Sequence, residues 1–97
     1  MRRTTLREKP LGPLRLRADV TAADTEGATV LLDGRSGRYY QLNATGALVL
    51  RDLLAGAAPG EIAGRLAATR PVTAERARAD VAALLDHLTR AGLVVPA

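Results

Sequence analysis

In Ala28-Thr29-Val30-Leu31-Leu32-Asp33-Gly34-Arg35-Ser36-Gly37-Arg38-Tyr39-Tyr40-Gln41-Leu42-Asn43-Ala44-Thr45-Gly46 the local pattern switches from strand to helix. Ala28 to Leu32 is a short run rich in Val and Leu that suits a buried strand. Asp33 to Gly37 contains two glycines, Gly34 and Gly37, able to take positive φ in a turn, and Arg38 to Leu42 follows with a β-favouring tyrosine pair. Residues 28 to 42 therefore read as a hairpin. At Asn43 the period changes. Asn43 or Thr45 can cap a helix by accepting a bond from an orphan backbone N–H, and Ala47, Leu50, Leu53 and Leu54 then recur at helical spacing.

Working outward, Leu14, Leu16, Ala18 and Val20 partly alternate with polar residues, which predicts a half-buried strand over 14–22. Asp24 to Gly27 supplies turn residues. On the other side, Gly56 ends the first helix, and Pro59 opens a second with Glu61 at the positive end of its dipole and Ile62, Ala63 and Leu66 on one face. Pro71 closes it. Thr73 caps the longest helix, in which Ala77, Val81, Leu84, Leu85 and Leu88 repeat until Gly92, a C′ residue. Leu93, Val94 and Val95 either cover the core or add a short extended tail. The expected fold is α+β, of winged helix-turn-helix type: a three-stranded antiparallel sheet followed by three helices. Residues 1–13, with their charges, Pro10, Gly12 and Pro13, read as a flexible basic tail, leaving 14–97 as one domain.

Composition narrows the function by exclusion. A chain of 97 residues with 47 % apolar content and no Phe or Trp has a small core of Leu, Val, Ile and Ala. With no cysteine there is no disulfide, thiolate metal site or cysteine nucleophile, and the single histidine, His87, cannot assemble a histidine metal site. The ten carboxylates are spread singly among arginines rather than paired for acid–base work. The expectation is a protein that is not an enzyme and uses no metal or cofactor. The net charge of +4 raises the possibility of nucleic-acid binding, but six basic residues against Glu8 in the first 17 account for all of it. The helix that would read DNA opens Glu75-Arg76-Ala77-Arg78-Ala79-Asp80, its arginines offset by acids and without Asn or Gln. A winged-helix DNA-binding regulator is thus the weaker alternative. No apolar run reaches membrane-span length and no secretory h-region follows the basic start, so a cytoplasmic monomer without membrane contact is expected.

The strand 38–42 is central or at an edge depending on where the first strand pairs; in a simple meander it is an edge, able to accept another strand. Successive side chains point to opposite faces, so only one of Tyr39 and Tyr40 can fill the core. The other requires a different explanation.

At this point the chain resembles a known family. Val30-Leu31-Leu32-Asp33, Gly37-Arg38-Tyr39-Tyr40-Gln41-Leu42-Asn43-Ala44-Thr45-Gly46, Glu61-Ile62 with Leu66, Asp80-Val81 with Leu84-Leu85 and Leu88, and Gly92-Leu93-Val94 are similar to the pattern of PqqD-like proteins. The likeness covers roughly residues 14 to 95, and its most specific part is Leu-Asn-x-Thr-Gly. Among relatives, the chain looks most like the stand-alone recognition subunits of lasso-peptide biosynthesis. The resemblance implies a RiPP recognition element: a precursor's leader peptide pairs as an added antiparallel strand, walled by the third helix, and is presented to a leader peptidase and a cyclase. A peptide chaperone for quinone-cofactor maturation is the alternative within the family. Carried onto this chain, the peptide-binding residues are Arg38, Tyr39, Tyr40, Gln41 and Leu42 on the strand. On the helix they are Ala77, Asp80, Val81, Leu84 and His87, with the flank that faces the groove left open by the sequence.

Overall fold

The computed structural model describes residues 14–97; the expected tail, 1–13, lies outside them. The elements are β1 (Leu14–Leu16), β2 (Val20–Thr25), β3 (Ala28–Asp33), β4 (Tyr39–Asn43), α1 (Ala44–Leu54), α2 (Pro59–Thr69), α3 (Ala74–Arg90) and β5 (Val94–Pro96). The fold is α+β. A three-stranded antiparallel meander, β2-β3-β4, is followed by three helices, and "winged helix-turn-helix" describes it only loosely because the hairpins precede the helices.

Each helix starts where a side chain supplies the missing acceptor. The Gly46 N–H donates to Asn43 Oδ1 at 2.8 Å, which selects Asn43 over Thr45 as the cap of α1. The Arg76 N–H donates to Thr73 Oγ1 at 3.0 Å. At the start of α2 the cap position is Ala58, and Glu61 reaches back to accept from its N–H at 3.4 Å. The apolar stripes meet in one core. Leu31 and Leu42 from the sheet, Val49, Leu50 and Leu53 from α1, Ile62 and Leu66 from α2, and Val81 and Leu88 from α3 are all buried.

The N-terminal segment departs from expectation. In place of one strand over 14–22, the chain turns at Ala18–Asp19, where the Val20 N–H donates to the Arg17 carbonyl at 2.9 Å. β1 then leaves the meander and pairs antiparallel with β5, Leu16 opposite Val94, in a separate two-stranded sheet. The C-terminal residues consequently do both things considered for them: Leu93 and Val94 are buried, and 94–96 form a strand. The expected turn at Asp24–Gly27 narrows to Glu26–Gly27, because Thr25 pairs with Ala28 and Gly27 takes φ 71°.

Arg17 holds this junction. Its guanidinium donates to Asp19 Oδ1 at 2.6 Å, to the Gly92 carbonyl at 2.7 Å and to Asp33, tying the first turn, the hairpin tip and the C-terminus together. Arg15, in β1, and Arg17 thus carry part of the basic charge into the folded domain. The hydrogen bond from Arg17 holds the Asp19 carboxyl below its ordinary range. Burial pushes the Asp33 carboxyl up, but the Arg35 N–H and the Arg17 guanidinium outweigh it and hold this group low as well. A depressed folded pKa stabilises the fold at pH values above the unfolded carboxylate pKa of about 3.9, and this contribution is lost as pH falls through the folded value. The urea midpoint is therefore expected to be flat from neutrality to about pH 5 and to drop below about pH 4. In Asp33→Asn the midpoint at neutral pH is lower and its acid dependence shallower; equal pH profiles for the two proteins would contradict the coupling.

Only one of the two hairpin glycines is needed for its φ. Gly37 takes φ 77° and its N–H donates to the Asp33 carbonyl at 2.8 Å. Gly34 has no positive φ; its N–H donates to the Asp19 carbonyl at 2.8 Å, and an added Cβ would lie 2.6 Å from that oxygen. Close approach of two backbones, not turn geometry, demands glycine here. Gly34→Ala is expected to cost about 1–3 kcal/mol in urea unfolding, as overpacking does. A neutral result would show that the Asp19 loop yields freely.

Candidate functional site

β4 is an edge strand, as the meander requires. The Asp33 N–H donates to the Arg38 carbonyl at 2.9 Å, and the same register places Leu31 opposite Tyr40 and Thr29 opposite Leu42. In an antiparallel ladder, hydrogen-bonded and non-bonded pairs alternate. Tyr40 and Leu42 therefore direct their backbone groups to β3, whereas the N–H and C=O groups of Tyr39 and Gln41 point to the open edge. The side chains alternate too. Leu42 is buried and Tyr40 half-buried on the inner face, while Tyr39 is 72 % exposed and Gln41 is exposed. Tyr40 is thus the inward tyrosine, meeting the His87 ring edge-on at a centroid distance of 6.1 Å.

Beneath the open edge lies a cleft of about 460 Å³ between β4 with the first turn of α1 on one side and α3 on the other. Leu42, Val49, Leu66, Val72, Ala77 and Leu84 make it apolar inside. Gln41, Asn43, Thr45, Arg70 and Asp80 make its rim polar. An apolar cavity with a few polar groups at its mouth is the usual form of a ligand site. Asp80 already has a partner, since Arg76 Nε lies 3.3 Å from its Oδ1. Arg70 takes part in none of the ion pairs among the described residues.

Of the residues singled out from the sequence, Gln41, Leu42, Ala77, Asp80 and Leu84 come together around this cleft. Tyr40 and His87 touch each other outside its lining, and Arg38 and Tyr39 stand exposed along β4. Val81 is 1 % exposed and belongs to the core. The sequence reading missed Asn43, Thr45, Gly46, Val49, Leu66, Arg70 and Val72 as lining residues. Asn43, Thr45 and Gly46 had a signal in the Leu-Asn-x-Thr-Gly element. Arg70 and Val72 had none, because they follow α2 and reach the cleft only through its packing on α3. Among the described residues no three His, Cys, Asp or Glu side chains cluster as a metal site needs, and no helix is long and apolar enough to cross a membrane.

The profile of the coenzyme PQQ synthesis protein D (PqqD) family matches residues 28–94, from β3 through α3 into β5. The chain belongs to the PqqD family. This PqqD-family chain is also similar to two solved structures. One is a lasso peptide synthetase B1 complexed with the leader peptide: 42 % identical, covering 86 % of this chain and 98 % of that one, with a TM-score of 0.79. The other is TbiB1 in complex with the TbiA(beta) leader peptide: 26 % identical, covering 82 % of this chain and 93 % of that one, with a TM-score of 0.73. No curated protein matches the chain.

Proposed function

We propose that this chain is a non-catalytic leader-peptide-binding protein, a RiPP recognition element. It captures a ribosomal precursor by β-strand addition to β4 and presents it to a leader peptidase and cyclase in lasso-peptide biosynthesis. The observation that carries this reading is the open β4 edge lying above the apolar cleft that α3 walls. The leader peptides in both similar structures support it. Residues 14–97 form the recognition domain, acting as a cytoplasmic monomer, and residues 1–13 are an accessory tail.

Physical magnitudes favour a strand with anchors over a strand alone. Each backbone hydrogen bond is worth about 0.5–1.5 kcal/mol net, while association costs about 4–15 kcal/mol. Affinity has to come from apolar leader side chains seated in the cleft, with the backbone bonds fixing direction and register. Side chains opposite Tyr40 and Leu42 point inward and are the ones that can enter it.

The 42 % identity to a lasso peptide synthetase B1 favours the lasso pathway over quinone-cofactor maturation. The test is fluorescence anisotropy with the leader peptide found with the similar lasso peptide synthetase B1, against a duplex DNA of random sequence at about 0.15 M salt, where phosphate binding is already weakened. The leader is expected to bind at least about tenfold more tightly than DNA, and equal binding would replace this reading with the DNA-binding one.

A further inference from the structure

One charged side chain at the cleft, that of Arg70, takes part in no ion pair among the described residues. Arg70 caps the C-terminal end of α2 with extended backbone, and its N–H donates to the Leu66 carbonyl at 2.8 Å, which fixes its position. Its side chain is exposed and lines the cleft beside Leu66 and Val72. The other rim charge, Asp80, is answered by Arg76 on the preceding turn of α3. Among the described residues the rim thus carries one positive charge without an ion-pair partner, next to the apolar walls of the cleft.

Resting on the leader-binding reading above, we infer that Arg70 is a specificity-determining residue that selects a bound segment carrying a carboxylate side chain beside its apolar anchor. Arg70 shares the cleft with Gln41, Leu42 and Asn43, at the C-terminal end of β4. A strand running antiparallel to β4 brings its N-terminal half to that end. The carboxylate therefore belongs to the N-terminal half of the paired segment. A guanidinium offers two parallel N–H donors to a carboxylate, so the contact discriminates by geometry as well as by charge. It also discriminates against a lysine at the same place, which would face Arg70 as a like charge.

The probe is the fluorescein-labelled leader peptide found with the similar lasso peptide synthetase B1, synthesised as a series with Glu and then Lys at each position of its N-terminal half. Anisotropy titrations compare the wild type with Arg70→Glu, an exposed position at which the fold is expected to survive, and circular dichroism melting verifies this. One position is expected at which the wild type prefers Glu over Lys by about tenfold, and at that position Arg70→Glu reverses the preference, because the exchange counts both attraction gained and repulsion lost. Wild-type binding with no position whose preference responds to Arg70→Glu would overturn the assignment and leave leader binding standing. Failure of the wild type to bind any peptide of the series would remove the leader-binding reading and this assignment with it.

Discussion

A leader peptide N-methylated at the residues opposite Tyr39 and Gln41 is expected to bind at least about a hundredfold more weakly than the unmodified peptide; two lost bonds at about 1.4 kcal/mol each give that factor. Methylation of the alternate residues, opposite Tyr40 and Leu42, is expected to change affinity by less than about threefold, well under 1 kcal/mol. The difference follows from the register. From Arg38 to Leu42, only Tyr39 and Gln41 direct backbone groups to the open edge, because the Arg38 carbonyl is already taken by Asp33 and the alternation continues from there. A methyl on a pairing amide removes a donor and also stands in the gap of about 4.8 Å between strands. A methyl on an intervening amide points away from β4. The residues that tolerate methylation are thus the same ones whose side chains enter the cleft, so backbone and side-chain contributions separate in one titration. Equal affinities for the two peptides would rule out strand addition and leave a helix lying in the cleft as the better account.

The second large effect concerns two leucines one turn apart on α3. Leu88 is 0 % exposed, in the centre of the core, and Leu88→Ala is expected to cost about 2–5 kcal/mol through lost burial and the cavity left behind. Small domains have about 5–15 kcal/mol in total, and about 1 kcal/mol shifts the Tm of a domain this size by about 4–8 °C. A fall of at least about 8 °C in circular dichroism melting is the expected reading. Leu84 is only half-buried, on the cleft wall. Leu84→Ala is expected to lower Tm by less than half as much and to weaken leader binding by about tenfold, since an anchor side chain loses part of its apolar contact. If Leu84→Ala melts as low as Leu88→Ala, Leu84 is core and the groove has a different wall.

These two residues also mark where sequence reading stops. Leu84 and Leu88 follow the same helical repeat, and nothing in the pattern assigns one to the cleft and the other to the core. The assignment depends on what packs against each turn of α3. Val81 makes the same point, since it was singled out for the groove from its place on the stripe and is buried in the core. Arg17 resembles its basic neighbours in sequence, yet it binds Asp19, Asp33 and Gly92, far apart along the chain.

By itself the sequence determined what local physics controls: a hairpin, the strand-to-helix switch at Asn43, a cap at either Asn43 or Thr45, the cap at Thr73, the three apolar helical stripes, and the rule that one tyrosine must face outward. Each depends on spacings of a few residues, which backbone geometry and hydrogen-bonding chemistry fix without reference to the rest of the chain. The tertiary structure alone decided that β1 leaves the meander for β5, that Gly34 is required by the Asp19 carbonyl rather than by its own φ, and that Arg70 reaches the cleft. These depend on groups brought together from distant parts of the chain, whose meeting is set by how the sheet and helices share one small core, and such contacts leave no periodic trace in the sequence.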